Sequence, residues 1–306
     1  DRAGYVEVPF NDLSLEEMPL GSGSFGTVYR GTWRSLSVAV KLLTHQGHVD
    51  DETVEVFRNE VEMLASLRCP NVTMLMGACT VPPNLCMVME FCARGSLFDI
   101  IRKHRPQSEP ASGRRPQGLP WLRRLNFALD ICMGMSFLHL SNPAIIHRDL
   151  KSPNILVDSN WQAKVGDLGL SRIIEGSKIE GTKSMNSPRW IAPEVLQGEI
   201  YGTKSDVYSF AVILWELCTM QIPWEVEMAA NSSPYILMNL VAYQGKRLTL
   251  PEEVKPACEH LPKLREIMET CFKGPGERPS FSELVVDFKD LFETELRRER
   301  DARAKQ

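Results

Sequence analysis

The stretch Gly21–Trp33 reads GSGSFGTVYRGTW, with glycines at i, i+2 and i+5. That spacing makes a loop whose backbone can come close to a phosphate. The residues after Gly26 limit the fold. A dinucleotide-binding turn runs from a strand into a helix, so that the pyrophosphate meets the helix N-terminus. A Walker loop needs Gly-Lys followed by Ser or Thr. Thr27–Trp33 has neither property, being rich in β-branched and aromatic residues, which is strand chemistry. The loop is therefore predicted to join two antiparallel strands as a lid over phosphates, with no helix dipole behind it. Such a lid needs a separate cation, and Lys41 is the candidate. Strand alternation sends Val38 and Val40 to one face and Ala39 and Lys41 to the other. A partly buried ammonium needs a counter-charge. Glu60, in the middle of the first helical stretch, is positioned in the order to supply it.

The remainder of the N-terminal region has the same texture. Leu15–Lys41 is strand-like. Thr53–Leu67 carries Val54, Phe57, Val61 and Leu64 at helical spacing. Two more strands come next, VTMLMGACTV and LCMVMEFC, joined through Pro-Pro-Asn. Beyond residue 91 the pattern becomes helical. Leu97–His104 is a short helix, Pro106–Gly118 a polar Pro/Gly-rich loop, and Trp121–Leu140 a long amphipathic helix. Ser205–Met220 is apolar almost all round and reads as a helix buried at the centre of a second lobe. A helix predicted after Ser280 has Glu283 three residues on, a capping box. The expected plan is α+β. An N-terminal flank covers 1–14, a β-rich lobe with one helix 15–91, a larger helical lobe 92–292, and a charged helix end 293–306.

Composition narrows the partners. With 306 residues, 43% hydrophobic and a formal net charge of −4, the chain can bury a large core and carries no basic excess for nucleic acid or anionic lipid. There is no apolar run of membrane-spanning length. The eight cysteines are scattered in apolar surroundings, without C-x-x-C pairs or attendant histidines. They read as small buried hydrophobes in a reducing, cytoplasmic setting. A chain that starts at Asp1 reads as a piece of something longer.

The chemistry concentrates in IIHRDLKSPNILVD, Ile145–Asp158, and in the Asp-Leu-Gly turn at Asp167. Asn154 and Asp167 offer the hard oxygen donors that Mg²⁺ prefers when it bridges phosphate oxygens. Asp149 can orient an attacking hydroxyl and take its proton. Lys151 places a second positive charge on the phosphoryl group in transit. In phosphoryl transfer, positioning and charge stabilisation do nearly all the catalysis.

Taken in order, GSGSFGTV, VAVK, the mid-helix Glu60, HRDLKSPN, DLG and Ala192-Pro193-Glu194 resemble a eukaryotic protein kinase domain over about Leu15–Phe292. Within that superfamily, GSGSFGTVYRGTW, HRDLKSPNILVD and RWIAPEVL resemble the tyrosine-kinase-like group and its Raf-like MAP kinase kinase kinases. The resemblance implies a bilobal fold and an ATP- and Mg²⁺-dependent transfer to a protein hydroxyl, within a signalling cascade in which the acceptor is itself a kinase. It implies that Gly21, Ser22, Gly23, Ser24, Phe25 and Gly26 cover the phosphates and that Leu20, Val28, Ala39 and Leu156 sandwich the adenine. Met89 is the implied gatekeeper, with Glu90 and Cys92 offering backbone groups to the adenine edge. Glu194 would pair with Arg278, and Asp206 would brace the catalytic loop. Lys151 and Ser187 resemble the serine/threonine kinases. Arg148, beside Asp149, is the implied receiver of an activating phosphate on Thr182 or Ser184.

Leu168 stands where the family usually has Phe. That departure and the long Pro106–Gly118 loop keep open a pseudokinase scaffold that signals by binding. A tyrosine or dual-specificity kinase is the other alternative. Lys41, Glu60, Asp149, Asn154 and Asp167 are all present, which favours the enzyme. No motif supports dimerisation.

Overall fold

Alternation and glycine punctuation at the front of the chain become a five-stranded antiparallel sheet in the computed structural model, which describes residues 4–23, 26–43, 51–105, 118–168, 172–173, 188–199, 201–230, 233, 235–254 and 257–304. The strands are β1 (Leu13–Gly23), β2 (Gly26–Trp33), β3 (Leu36–Leu42), β4 (Leu75–Cys79) and β5 (Cys86–Glu90), in the order β1-β2-β3-β5-β4. Helix α1 (Asp51–Ser66) comes after β3 and buries Val54, Phe57, Val61 and Leu64, the four residues its periodicity picks out. Two compact units result. The first holds Asp1–Arg94 and Leu156–Gly169; the second holds Gly95–Ile155 and Leu170–Gln306.

One face of the first unit's sheet is dry. Val38, Val40, Cys79, Cys86 and Val88 cluster with Trp33 and with Val8. Val8 comes from the stretch expected to be a flank. The Val8 N–H donates to the Ala78 carbonyl at 2.8 Å, and the Ala78 N–H returns a bond to Val6 at 3.0 Å. Glu7 accepts both the N–H and the hydroxyl of Thr80, at 2.8 and 2.9 Å. This crossing explains Gly77, where a Cβ would lie 2.6 Å from Val8 Cγ2 and 2.7 Å from the Val6 carbonyl oxygen.

The unit boundary is not a single cut after residue 91. Strands β6 (Ile145–Ile146), β7 (Ile155–Val157) and β8 (Ala163–Val165) come late in the chain, yet β8 returns to the first unit. There Thr73 N–H donates to Val165 O at 2.9 Å, Val165 N–H to Asn71 O at 2.8 Å, and Arg94 N–H to Val157 O at 3.0 Å.

The second unit is helical apart from β6 and its partner β9 (Arg172–Ile173). Its helices are α2 (Leu97–His104), α3 (Trp121–Leu140), α4 (Pro193–Leu196), α5 (Thr203–Thr219), α6 (Glu225–Ala230), α7 (Tyr235–Leu237), α8 (Leu261–Cys271) and α9 (Phe281–Ala304). Helix α5 is the axis of the core, as its all-round apolar sequence predicts, with every residue from Ser205 to Cys218 buried. Phe210 meets Phe281 and Phe288 of α9 edge-on, both at 5.6 Å. Arg124 of α3 is buried and donates to the carbonyls of Leu119, Leu217 and Cys218. It thereby satisfies carbonyls that the end of α5 leaves without helical partners. Burial pulls its pKa down to about 10. The capping box at α9 forms: Glu283 accepts the Ser280 N–H at 2.7 Å, and Ser280 Oγ accepts the Glu283 N–H at 3.3 Å. Among the described residues no helix is long and apolar enough to cross a membrane.

Candidate functional site

On the first unit the glycine turn is a hairpin. Gly21 pairs with Val28, Ser22 with Thr27 and Gly23 with Gly26. Gly26 has φ +145°, and a Cβ there would sit 2.1 Å from the Leu42 carbonyl oxygen, so only glycine lets β2 start this close to β3. Ser24 and Phe25 lie outside the described residues.

Sheet register then sorts the side chains. Val28 pairs with Lys41, Ala39 with Met89, and Lys41 with Met87. Directly paired residues share a face of the sheet. So Val28, Ala39, Lys41 and Met89 lie together, opposite the dry face that holds Val38 and Val40. Leu156 is half-buried, whereas Leu20 is exposed.

Lys41 Nζ meets Asp167 Oδ1 at 2.7 Å, an ion pair between residues far apart in sequence. Asp167 adopts φ +53°, a left-handed conformation that Asp tolerates better than most residues. Glu60, the partner expected for Lys41, acts on this pair through space rather than in an ion pair at contact distance. Burial raises its carboxyl above the usual carboxylate range, the Lys41 charge pulls the other way, and the Asp167 charge adds to the rise. The sequence points to Glu60 as the counter-charge and to Asp167 as a metal ligand. The structure gives a contact to Asp167, whose side chain reaches Nζ. Leu168 is buried, so the aliphatic side chain fills its site.

Glu90 does more than present backbone. Its carboxylate accepts the Met74 N–H at 2.8 Å and pairs with Lys164 Nζ at 3.0 Å. This fixes the end of β5 to β8, three residues ahead of Asp167. Burial, followed by the nearby Glu90 charge, pushes the Cys92 thiol up to about 12. It is not a nucleophile near neutral pH.

On the second unit, Asp149, Lys151 and Asn154 form one cluster. Lys151 Nζ lies 2.6 Å from Asp149 Oδ2. Asn154 Nδ2 donates to the same oxygen at 3.0 Å and to the Asp149 carbonyl at 2.9 Å. Both of these side-chain contacts fall on Oδ2. The turn beneath is strained at Arg148, with φ +69°. Such a conformation costs a non-glycine residue about 1–2 kcal/mol. Buried Asp206 of α5 offsets that cost by accepting the His147 N–H at 2.9 Å and the Arg148 N–H at 3.0 Å. Its Oδ2 also meets His139 Nε2 at 2.9 Å. The Arg148 guanidinium lies 5.7 Å from the Tyr201 ring centre.

Glu194 of α4 and Arg278 make a buried two-pronged pair at 2.6 and 2.9 Å, with Ser205 Oγ donating to Glu194 at 3.0 Å. Thr182, Ser184 and Ser187 lie outside the described residues, as do 106–117 of the polar loop.

The sequence motifs pass over Glu216, Ser152 and Trp190. Glu216 is fully buried in α5 and accepts from Ser152 Oγ at 2.7 Å and from Trp190 Nε1 at 2.9 Å. A charged residue inside an otherwise apolar helix is the signal that could have found it.

The donor chemistry suits a magnesium nucleotide. On the first unit Asp167 offers carboxylate oxygen; on the second, Asn154 donates its amide nitrogen to Asp149 and has an amide oxygen besides; each is a hard donor.

Residues 15–288 match the family described as protein tyrosine and serine/threonine kinase. The chain is 42% identical over 281 residues to the serine/threonine-protein kinase CTR1 of Arabidopsis thaliana, which covers 92% of this chain and 32% of that protein. It is 41% identical over 292 residues to the probable serine/threonine-protein kinase SIS8 of the same plant, covering 95% of this chain and 26% of that one. The dual specificity protein kinase shkC of Dictyostelium discoideum is 34% identical over 288 residues, covering 93% and 52%. The chain thus spans about a third or less of the length of the first two relatives.

Proposed function

Because this chain belongs to the protein tyrosine and serine/threonine kinase family, we propose that it transfers the γ-phosphoryl group of ATP to serine or threonine hydroxyls of a protein acceptor. The observation that carries the reading is the Asp149 cluster, in which one carboxylate oxygen is held by Lys151 and Asn154. The other oxygen hydrogen-bonds an incoming hydroxyl, aims it and takes its proton. Lys151 keeps positive charge beside the transferring group. On the first unit, Lys41 supplies the ammonium for the nucleotide's phosphates and Asp167 is its partner. Val28, Ala39, Met89 and Leu156 offer apolar surface to the base, and the Gly21–Gly26 hairpin brings backbone N–H groups to the phosphates. Asp167 and Asn154 would hold Mg²⁺, which would supply charge neutralisation on the phosphate oxygens. Both sets serve one reaction.

Lys151 and the names of the first relatives support serine/threonine preference; the shkC relative supports the dual-specificity alternative. Buried Leu168 weakens the pseudokinase reading, since the turn keeps its apolar anchor. We place the chain in the cytoplasm on its eight free thiols, and take a downstream kinase as the acceptor class that the Raf-like resemblance suggests.

The test is incubation with γ-labelled ATP and a generic protein acceptor, followed by separation of the phosphoamino acids. Label should appear on serine and threonine, and Asp149→Asn should reduce it by about a hundredfold or more. Equal labelling by wild type and Asp149→Asn overturns the proposal. Label on tyrosine as well selects the dual-specificity reading.

A further inference from the structure

We propose that Glu216 is a positioning residue for this transfer, one buried carboxyl group that holds both the turn carrying Asp149, Lys151 and Asn154 and the segment leading into Ala192-Pro193-Glu194. The inference rests on the phosphotransfer reading. It concerns only the second unit, which contains all of these groups.

Glu216 is fully buried on α5, in a run of residues that are all buried from Ser205 to Cys218. An ionisable group there is costly unless its oxygens are satisfied. The two oxygens are divided between two loops. Oε1 accepts from Ser152 Oγ at 2.7 Å, and Oε2 accepts from Trp190 Nε1 at 2.9 Å. Ser152 directly follows Lys151 and opens the turn in which Asn154 N–H donates to Lys151 O at 2.9 Å. Moving Ser152 therefore moves both side chains that hold Asp149 Oδ2.

Trp190 is gripped a second time. Its carbonyl oxygen accepts from Ser209 Oγ at 2.8 Å. Ser209 precedes Glu216 on α5 by two helical turns, so one face of α5 holds both ends of Trp190. Arg189, next in the chain, donates to the Pro223 carbonyl. The segment is pinned just before α4, whose Glu194 is locked to Arg278.

A leucine could fill the space of Glu216 but would leave two buried donors unpaired, and each would lose its water without a replacement partner. What the site demands is one hydrogen-bonding partner for each of two groups at a fixed separation, not a charge. Glutamine meets that demand: its oxygen accepts from Trp190, and its NH₂ donates to Ser152 Oγ, a hydroxyl that can accept as well as donate. The carboxyl is close to that state already, since burial pushes its pKa up to about 8.

Steady-state transfer by this chain tests the assignment, with kcat expressed per folded molecule and the folded fraction taken from circular dichroism. Glu216→Leu should lower kcat by about tenfold or more and leave the KM for ATP within about twofold, because the groups assigned to the nucleotide's base, and the Lys41 ammonium assigned to its phosphates, lie on the first unit. Glu216→Gln should recover most of the loss. Ser152→Ala should lower kcat on its own and add little in the Glu216→Leu background, since both changes break the same bridge. Undiminished kcat in Glu216→Leu, or Ser152→Ala adding its full loss to it, overturns the proposal. If Glu216→Leu does not fold, Ser152→Ala decides: normal kcat in that milder variant overturns the proposal. A wild-type chain that transfers no label overturns the phosphotransfer reading and this inference with it. An active wild type with an indifferent Glu216 overturns only the inference.

Discussion

The two units hold their functional charges in different ways. On the first unit Lys41 is placed by strand register, and its partner Asp167 keeps a side chain that is 45% exposed. On the second, each charge is hung from a buried acceptor on or beside α5. Asp206 takes the His147 and Arg148 N–H groups, Glu194 takes Arg278 and Ser205, and Glu216 takes Ser152 and Trp190. A pleated sheet fixes direction at little electrostatic cost. A helical core has no such register, and it fixes loops by burying polar groups whose donors must all be present. The first arrangement should tolerate loss of a partner; the second should not.

That contrast can be broken most directly by removing one partner on each unit. Arg278→Ala leaves Glu194 buried without its cation and should cost about 3–5 kcal/mol in denaturant unfolding. Lys41→Met removes one side of a partly exposed pair and should cost under about 1 kcal/mol, although it should slow transfer steeply. Similar losses for the two would end the distinction.

The next effect sharpens it through pH. The Glu216 carboxyl titrates at about 8 in the folded chain against 4.5 ordinarily, because of burial, with Trp190, Ser152 and Arg189 opposing. Between those values the unfolded chain has lost this proton and the folded chain still holds it. Its contribution is fully present below pH 4.5 and is lost as pH rises towards about 8, by up to about 1.4 kcal/mol per pH unit. Stability profiles of wild type and Glu216→Gln should differ by that slope; parallel profiles would show that the group titrates normally.

The smallest effect separates burial from bond count. The Ser280–Glu283 box is also in the second unit, but at the surface. Ser280→Ala should cost about 1 kcal/mol, well below Arg278→Ala.

What is legible in the sequence divides along the same line. Period-two alternation places Val38 and Val40 opposite Lys41, and period-3.6 spacing picks the buried face of α1. The continuous apolar run identifies α5, and Ser280 with Glu283 marks the start of α9. These are local patterns, written within a few residues. The contacts of the site are not. Lys41 reaches Asp167 across 126 positions of chain, and no spacing rule distinguishes that carboxylate from Glu60. Leu156–Gly169 packs with the first unit because β8 bonds to the stretch around Asn71 and Thr73, a pairing invisible to periodicity. Val8 reads as flank because the short stretch around it has ordinary composition and carries no strand signal. The cover it provides is recorded instead in Gly77, whose missing side chain makes the room.

The proposed function requires above all that Lys41 and Asp149 act in a single phosphoryl transfer. A double-mutant cycle on kcat/KM with γ-labelled ATP measures it, using Lys41→Met, Asp149→Asn and the pair together. Groups that work as one unit are grossly non-additive, so the double variant should be no slower than the worse single. Losses that multiply in full would contradict the account, because they would show the two residues contributing independently.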